Sequence, residues 1–353
     1  MNPKILKVGE KVYSQSLQHF DDSYLVGFPQ RERQLLKHIS GIKFDFFNHG
    51  SITDISSITK ERDKLNQHLS NKKYDYLFID NPLSILVVDS NVNIPIIFDC
   101  IDWYEEMYLK EYGVNKQFFL LRYSLQETLD RVDKIIAQSP VILEALKKWS
   151  QKEHQYEIVP NGYDDKIFYP YSSVKKKKVR QEIERKYQCH LEGKKIVVYT
   201  GKLGYWYDNI KIISESIPED FIFFVVGDGP ISNQIPKKDN IIKCGAVDLS
   251  EVPNFTNIAD VLVFPVEVDC SPIAISEYLA VGKPIVMGKG RMEWLLKDGV
   301  TGCMVDNNPQ SWRLGIERAS RMEKICSTNN LELAKNLSWQ KLAIKFSNFI
   351  IQK

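Results

Sequence analysis

Two acids eight residues apart, Asp269 and Glu277, bracket the stretch Asp269-Cys-Ser-Pro-Ile-Ala-Ile-Ser-Glu277. An apolar run ending Phe264-Pro265 precedes it, and another, Pro284–Met287, follows it. The pattern predicts a buried strand, a loop, a helix that contains Glu277, and a further strand. In that order the loop amides and the positive end of the helix dipole can face an anion. A carboxylate at Glu277 is an acceptor-only group, able to take two hydrogen bonds from the vicinal hydroxyls of a ribose.

The elements that must position these groups are those of an α/β protein. Short apolar runs alternate with amphipathic stretches, the pattern of βα units around parallel sheets. In the first half the runs are Ser23–Gly27, Lys43–Phe47, Tyr74–Ile79, Pro95–Phe98 and Lys134–Ala137, with helical spacing at Arg31–Ile39, Ile58–Leu69, Lys116–Leu129 and Val141–Trp149. A strand and turn, Tyr156–Tyr163, close that half. The second half restarts at Lys195–Thr200 and runs on through Phe221–Val226, Asn240–Lys243, Val261–Phe264, Pro284–Met287 and Gly302–Val305, with helices at Ser276–Ala280 and Trp312–Met322. The final stretch, Leu337–Ile350, reads as an amphipathic helix with Ser338 as its N-cap. A basic polar stretch, Ser172 to Arg180 with lysines at 175 to 178, reads as a solvated linker near the junction; contact with anionic lipid is a second role open to it.

Length agrees with this division. The 353 residues exceed one comfortable core and predict two doubly wound domains, 1–170 and 171–336, with 337–353 returning to the first. In such folds ligands lie at the carboxyl edges of the strands, here in a cleft between two facing sheets. A net charge of +2 argues against a nucleic-acid partner, whose binding rests on a strongly basic surface. Six scattered cysteines without a C-x-x-C pair predict reduced thiols and a cytoplasmic protein. No histidine follows His190 and none stand three to five apart, so no metal site and no bound cofactor are predicted. Met1–Asp22 lacks a continuous apolar stretch and the longest apolar runs, Phe221–Val226 and Val261–Val266, are strand-sized, so no export signal or membrane span is predicted.

The Asp269–Glu277 segment resembles the acidic-x7-Glu motif of retaining GT-B glycosyltransferases, the family-4-like group (glycosyl transferases group 1) that builds surface polysaccharides. The resemblance covers most of residues 130–350. Val159-Pro-Asn-Gly-Tyr-Asp-Asp-Lys-Ile-Phe-Tyr-Pro170 is similar to the segment that joins the two domains in that group, and Val225-Val-Gly-Asp-Gly-Pro230, Ala259–Pro265, Glu293 with Asp298–Gly302, and Ser338-Trp339 with Phe346 match further landmarks. It implies that Glu277 holds the donor ribose and that Asp269, in place of the usual glutamate, sits near the sugar hydroxyls. It also implies that the backbone of Ser271, Pro272, Ile273 and Ala274 meets the phosphates, with Gly201 and Gly227 lining the site, and that the backbone of Ala246 and Val247 meets the base.

The same resemblance implies a cationic pair after the first strand of the second domain. The sequence there is Thr200-Gly-Lys-Leu-Gly-Tyr-Trp-Tyr-Asp-Asn209. Lys202 takes the place of the usual arginine; aromatics and Asp208 stand where a second cation is usual, and Trp206 and Tyr207 read as packing residues. Pro272 replaces a usual glycine and removes one N–H donor. On the acceptor side Arg31 and Arg33 open a helix after Tyr24-Leu-Val-Gly-Phe-Pro, and Asp99 and Asp102 lie where relatives often place a histidine, positions from which a carboxylate orients or deprotonates an acceptor hydroxyl.

The resulting expectation is a GT-B glycosyltransferase that moves a sugar from a nucleoside diphosphate-sugar to a hydroxyl of a glycan or lipid-linked acceptor, with retention and without a metal. Two other readings stay open at this point: an epimerase or phosphorylase on the same fold, and a non-catalytic nucleotide-sugar-binding partner. The sequence argues against a Rossmann dehydrogenase, because no G-x-G-x-x-G follows either domain's first strand.

Overall fold

The computed structural model describes residues 2–10, 29–207, 209–265 and 269–352. The expected strand Ser23–Gly27, Asp208 and the end of the run Val261–Val266 lie outside the described residues. The chain divides into two compact units, Met1–Pro160 with Trp339–Lys353, and Asn161–Ser338.

Among the described residues the first unit holds six parallel strands: β1 (Lys4–Glu10), β2 (Lys43–His49), β3 (Tyr76–Ile79), β4 (Ile96–Cys100), β5 (Lys134–Ala137) and β6 (Gln155–Ile158), in the order β2-β1-β3-β4-β5-β6. Its helices are α1 (Pro29–His38), α2 (Ile55–Asn71), α3 (Tyr104–Tyr112), α4 (Lys116–Arg131) and α5 (Pro140–Trp149). Three of these starts are capped by short polar side chains: Asp54 accepts from Ser57 N, Asn115 from Phe118 N and Ser139 from Ile142 N. Strand β1 escapes a reading by hydrophobic pattern because lysines interrupt it. Lys7 is nonetheless buried among Ile5, Leu6 and Val8, and it is held there by Glu32 and by Asp80, the latter at 2.9 Å. Burial works against its charge, but the two carboxylates outweigh burial and raise its pKa.

The second unit contains β7 (Lys195–Thr200), β8 (Phe221–Val226), β9 (Ile241–Gly245), β10 (Val261–Phe264), β11 (Ile285–Gly288) and β12 (Gly302–Val305), again all parallel. Their order is β12-β11-β10-β7-β8-β9, so the chain winds one way from β7 and the other way from β10. The topological switch falls between β7 and β10, where doubly wound sheets open to ligands. Strands β8 and β10 are buried at every position, as their uninterrupted apolar sequences require of central parallel strands. Around them pack α6 (Ser173–Tyr187), α7 (Ile210–Ser216), α8 (Val252–Ile258), α9 (Ile273–Val281), α10 (Pro309–Ala319) and α11 (Glu323–Ala334). The last helix, α12 (Trp339–Ile351), belongs to the first unit. There Phe346 meets Phe78 edge-on at 5.8 Å, and Lys134 Nζ donates to the carbonyls of Phe349 and Ile350 at 3.0 Å each.

The basic stretch is not a linker. Lys175 to Lys178 lie in the first turns of α6, which starts where Ser172 Oγ accepts from Lys175 N and buries Val179 and Ile183. Lysine is a good helix former, and the apolar pair four residues apart anchors one face. Lys175 is drawn inward, its Nζ 3.4 Å from the centroid of the Tyr171 ring. Residues 161–170, read from sequence as the end of the first domain, pack in the second unit, where Tyr163 N donates to Leu337 O at 3.1 Å.

Candidate functional site

The switch point of the second sheet is built from backbone upward. After β7 the chain turns at Gly201, whose N–H donates to Val226 O at 3.0 Å. After β8 it turns at Gly227, whose N–H donates to Gly245 O at 2.8 Å. These loops lie backbone on backbone: a Cβ on Gly227 would meet Gly201 O at 1.8 Å, and one on Gly229 would meet Leu203 O at 2.4 Å. Lys202, on the first of these loops, is exposed, with its carbonyl accepting from Tyr199 Oη at 2.8 Å. Beyond β9, Ala246 is exposed and Val247 half-buried.

On the other side of the switch point stands the loop that leads into α9. Asn161 ties it down: its N–H donates to Ser271 Oγ at 3.0 Å, its Nδ2 to Ser271 O at 2.7 Å, and its carbonyl accepts from Ser276 Oγ at 2.6 Å. Pro272 caps α9 without a side-chain hydrogen bond. The amides of Ile273 and Ala274 behind it donate to no described group, which leaves the first half-turn with two N–H groups for an incoming acceptor. Tyr278 fastens the helix to the central strand, its Oη accepting from Thr200 N at 2.8 Å.

Two carboxyls face this frame. Glu277 is buried, with 7% exposure, and among the described residues it has no hydrogen-bond partner. Burial pushes its carboxyl up to about 8. Burial makes the ionised form of this carboxyl costly, and a ligand that donates hydrogen bonds to it offsets the cost. Asp269 is also raised, by burial, against the lowering effect of its own donors. Its Oδ1 accepts from Ser271 N at 2.9 Å and its Oδ2 from Tyr207 Oη at 2.9 Å. Tyr207 is thus more than a packing residue. The signal in the sequence was its hydroxyl-bearing ring standing among the residues that replace the second cation.

The first unit brings together two of the expected residues. Arg31 on α1 and Asp99 on β4 form a buried bidentate pair, Nε to Oδ2 at 3.1 Å and Nη2 to Oδ1 at 3.0 Å, and Arg31 Nη1 also donates to Pro160 O at 3.0 Å. Burial raises the Asp99 carboxyl while Arg31 opposes the rise. Arg33 and Asp102 are half-buried, the Asp102 carbonyl accepting from Cys100 Sγ at 3.3 Å. Among the described residues no group of histidine, cysteine, aspartate and glutamate is arranged to hold a metal.

Two parallel doubly wound sheets, the second with an acid-bearing helix at its switch point, define the GT-B fold of glycosyltransferases. Sucrose-phosphate synthase from Thermosynechococcus elongatus has the same fold, with a TM-score of 0.76 over 99% of this chain and 98% of that one at 16% identity. HepE of Anabaena, solved with UDP, gives 0.74 over 98% and 99% at 16% identity. WaaG, a glycosyltransferase involved in lipopolysaccharide biosynthesis, gives 0.71 over 99% and 100% at 14% identity. Residues 194–321, within the second unit, match the family model described as Glycosyl transferases group 1. Mannosylfructose-phosphate synthase of Agrobacterium fabrum is 24% identical over 213 residues, 52% of this chain and 45% of that protein, so the match spans about half the length of the relative.

Proposed function

We propose that the protein transfers a sugar from a nucleoside diphosphate-sugar to a hydroxyl of a glycan or lipid-linked acceptor, with retention at the anomeric carbon and without a metal ion or other cofactor. The observation that carries this reading is Glu277, a buried carboxyl with no hydrogen-bond partner among the described residues, at the switch point of the sheet that matches the glycosyl transferases group 1 model. In this reading the ribose hydroxyls donate to Glu277, and the diphosphate lies against Lys202 and the amides of Ile273 and Ala274. The base meets the backbone of Ala246 and Val247, and Asp269 accepts from the donor sugar. As the sugar–phosphate bond breaks, charge grows on the leaving diphosphate, and fixed N–H dipoles with one cation stabilise it. Asp102 would orient the acceptor. None of the six cysteines forms a disulfide, which fits a cytoplasmic enzyme.

A thermal-shift screen against UDP-, GDP-, ADP- and dTDP-glucose identifies the nucleotide; a ligand at about 100 times its Kd stabilises the fold by roughly 2.7 kcal/mol. UDP goes first, since HepE was solved with it. Glu277→Gln should weaken nucleotide binding by about ten-fold, and Glu277→Ala by more. Equal affinity of Glu277→Ala and the parent protein would place the donor elsewhere. Asp102→Asn should cut transfer while leaving nucleotide affinity unchanged, and a parallel loss of both would assign Asp102 to folding. Turnover should survive excess EDTA; activity lost to the chelator and restored by Mn²⁺ or Mg²⁺ removes Lys202 and the helix amides as sufficient partners for the diphosphate.

A further inference from the structure

Asp269 is held on both of its carboxylate oxygens. Oδ1 accepts from Ser271 N–H at 2.9 Å and Oδ2 from the Tyr207 phenol at 2.9 Å. An ionised carboxylate offers about four lone-pair directions, so these two donors, counted among the described residues, leave about one direction on each oxygen. The backbone amide is fixed by the loop, which Asn161 holds through Ser271. The phenol is fixed as well: Tyr207 is 9% exposed and meets Phe264 edge-on, with ring centroids 5.3 Å apart.

We infer that Tyr207 is a positioning and specificity-determining residue: its hydroxyl holds Asp269 Oδ2 so that the carboxylate meets the hydroxyls of the donor sugar in one fixed orientation. This rests on the function proposed above and adds to it a mode of sugar selection. A carboxylate anchored on both oxygens cannot rotate to follow a hydroxyl whose configuration is inverted. The epimer then leaves its own hydroxyl or the acid unpaired, and unpaired buried polar groups are what make discrimination steep. Tyr207 touches Asp269, and its effect on the sugar passes through that acid.

The test uses the full chain and the glucose, galactose and mannose forms of the nucleotide chosen by the screen. Tyr207→Phe keeps the ring against Phe264, so its melting temperature and its affinity for the free nucleoside diphosphate should match the parent's. Its kcat/KM for the preferred sugar should fall about ten-fold, and its preference over the epimers should shrink by a similar factor. In an Asp269→Asn background the same change should add little, because two residues acting through one contact are not additive. The inference is overturned if Tyr207→Phe leaves epimer preference intact, or if its effect is undiminished beside Asp269→Asn. A parent protein that binds none of the nucleotides overturns the proposed function itself, and the Tyr207 assignment with it. Nucleotide binding that is intact in Tyr207→Phe and lost in Glu277→Ala separates the two.

Discussion

Glu277 couples the proposed site to protons. Its carboxyl is pushed up to about 8 by burial, from an ordinary value of 4.5. Between those values the folded protein keeps a proton that the unfolded chain has released, so stability contributed by the neutral acid is full at low pH and declines as pH rises through the window. Glu277→Gln should flatten that decline in melting experiments run from pH 5 to pH 8.5. Ribose hydroxyls favour the ionised acid, so nucleotide binding near pH 7 should expel a proton. Calorimetry in phosphate and in Tris measures this directly, because the two buffers take up protons with different heats. Identical binding enthalpies in both would mean that Glu277 does not ionise on binding.

At the scale of elements, the proposed donor site depends on the loops after β7 and β8, which touch through bare backbone. Gly227 has φ of +137° and no room for a Cβ, with Gly201 O 1.8 Å from where that atom would lie. Gly227→Ala must therefore push the β7 loop away, and Lys202 moves with it. The expected cost is about 3 kcal/mol or more, from a forbidden backbone conformation together with a backbone clash. Denaturant unfolding checks the stability, and nucleotide titration checks the site. A variant within about 0.5 kcal/mol of the parent would show that the loops yield without strain. Helix α9 is braced differently, by side chains. Asn161 holds its entry at Ser271 and Ser276, and Tyr278 joins its second turn to Thr200 on β7.

Over the whole molecule, the second unit is an insertion in the first, whose last element is α12. That helix brings buried Trp339, Phe346 and Ile350, and its final carbonyls receive Lys134. Cationic donors at a helix C-terminus meet its negative dipole end. A chain ended at Ser338 leaves buried Lys134 without those acceptors and exposes the apolar faces that α12 covers. The first unit should then unfold at a clearly lower temperature, while the second unit keeps its affinity for nucleotide. A melting profile unchanged by the truncation would show that α12 is dispensable to the first unit.

Much of this was legible in the sequence because it is local. Uninterrupted apolar runs such as Phe221–Val226 and Val261–Phe264 admit little besides buried parallel strands, and both are strands in the fold. The Asp269–Glu277 spacing is also local, since one loop and one helix carry both acids. Local pattern fails where a charge is neutralised from afar. Strand β1 was missed because the partners of Lys7, Glu32 and Asp80, lie 25 and 73 residues away. The lysines of α6 looked like a linker because composition outweighed the cap at Ser172 and the Val179–Ile183 spacing. Arg31 meets Asp99 across 68 residues, and Tyr207 meets Asp269 across 62. The second of these pairings follows from strand order, which places β7 beside β10 and the residues after them in reach of one another. Residue types and short spacings therefore determined the class of chemistry on offer, whereas only the tertiary structure decided which acid has no hydrogen-bond partner among the described residues and which is held by a phenol.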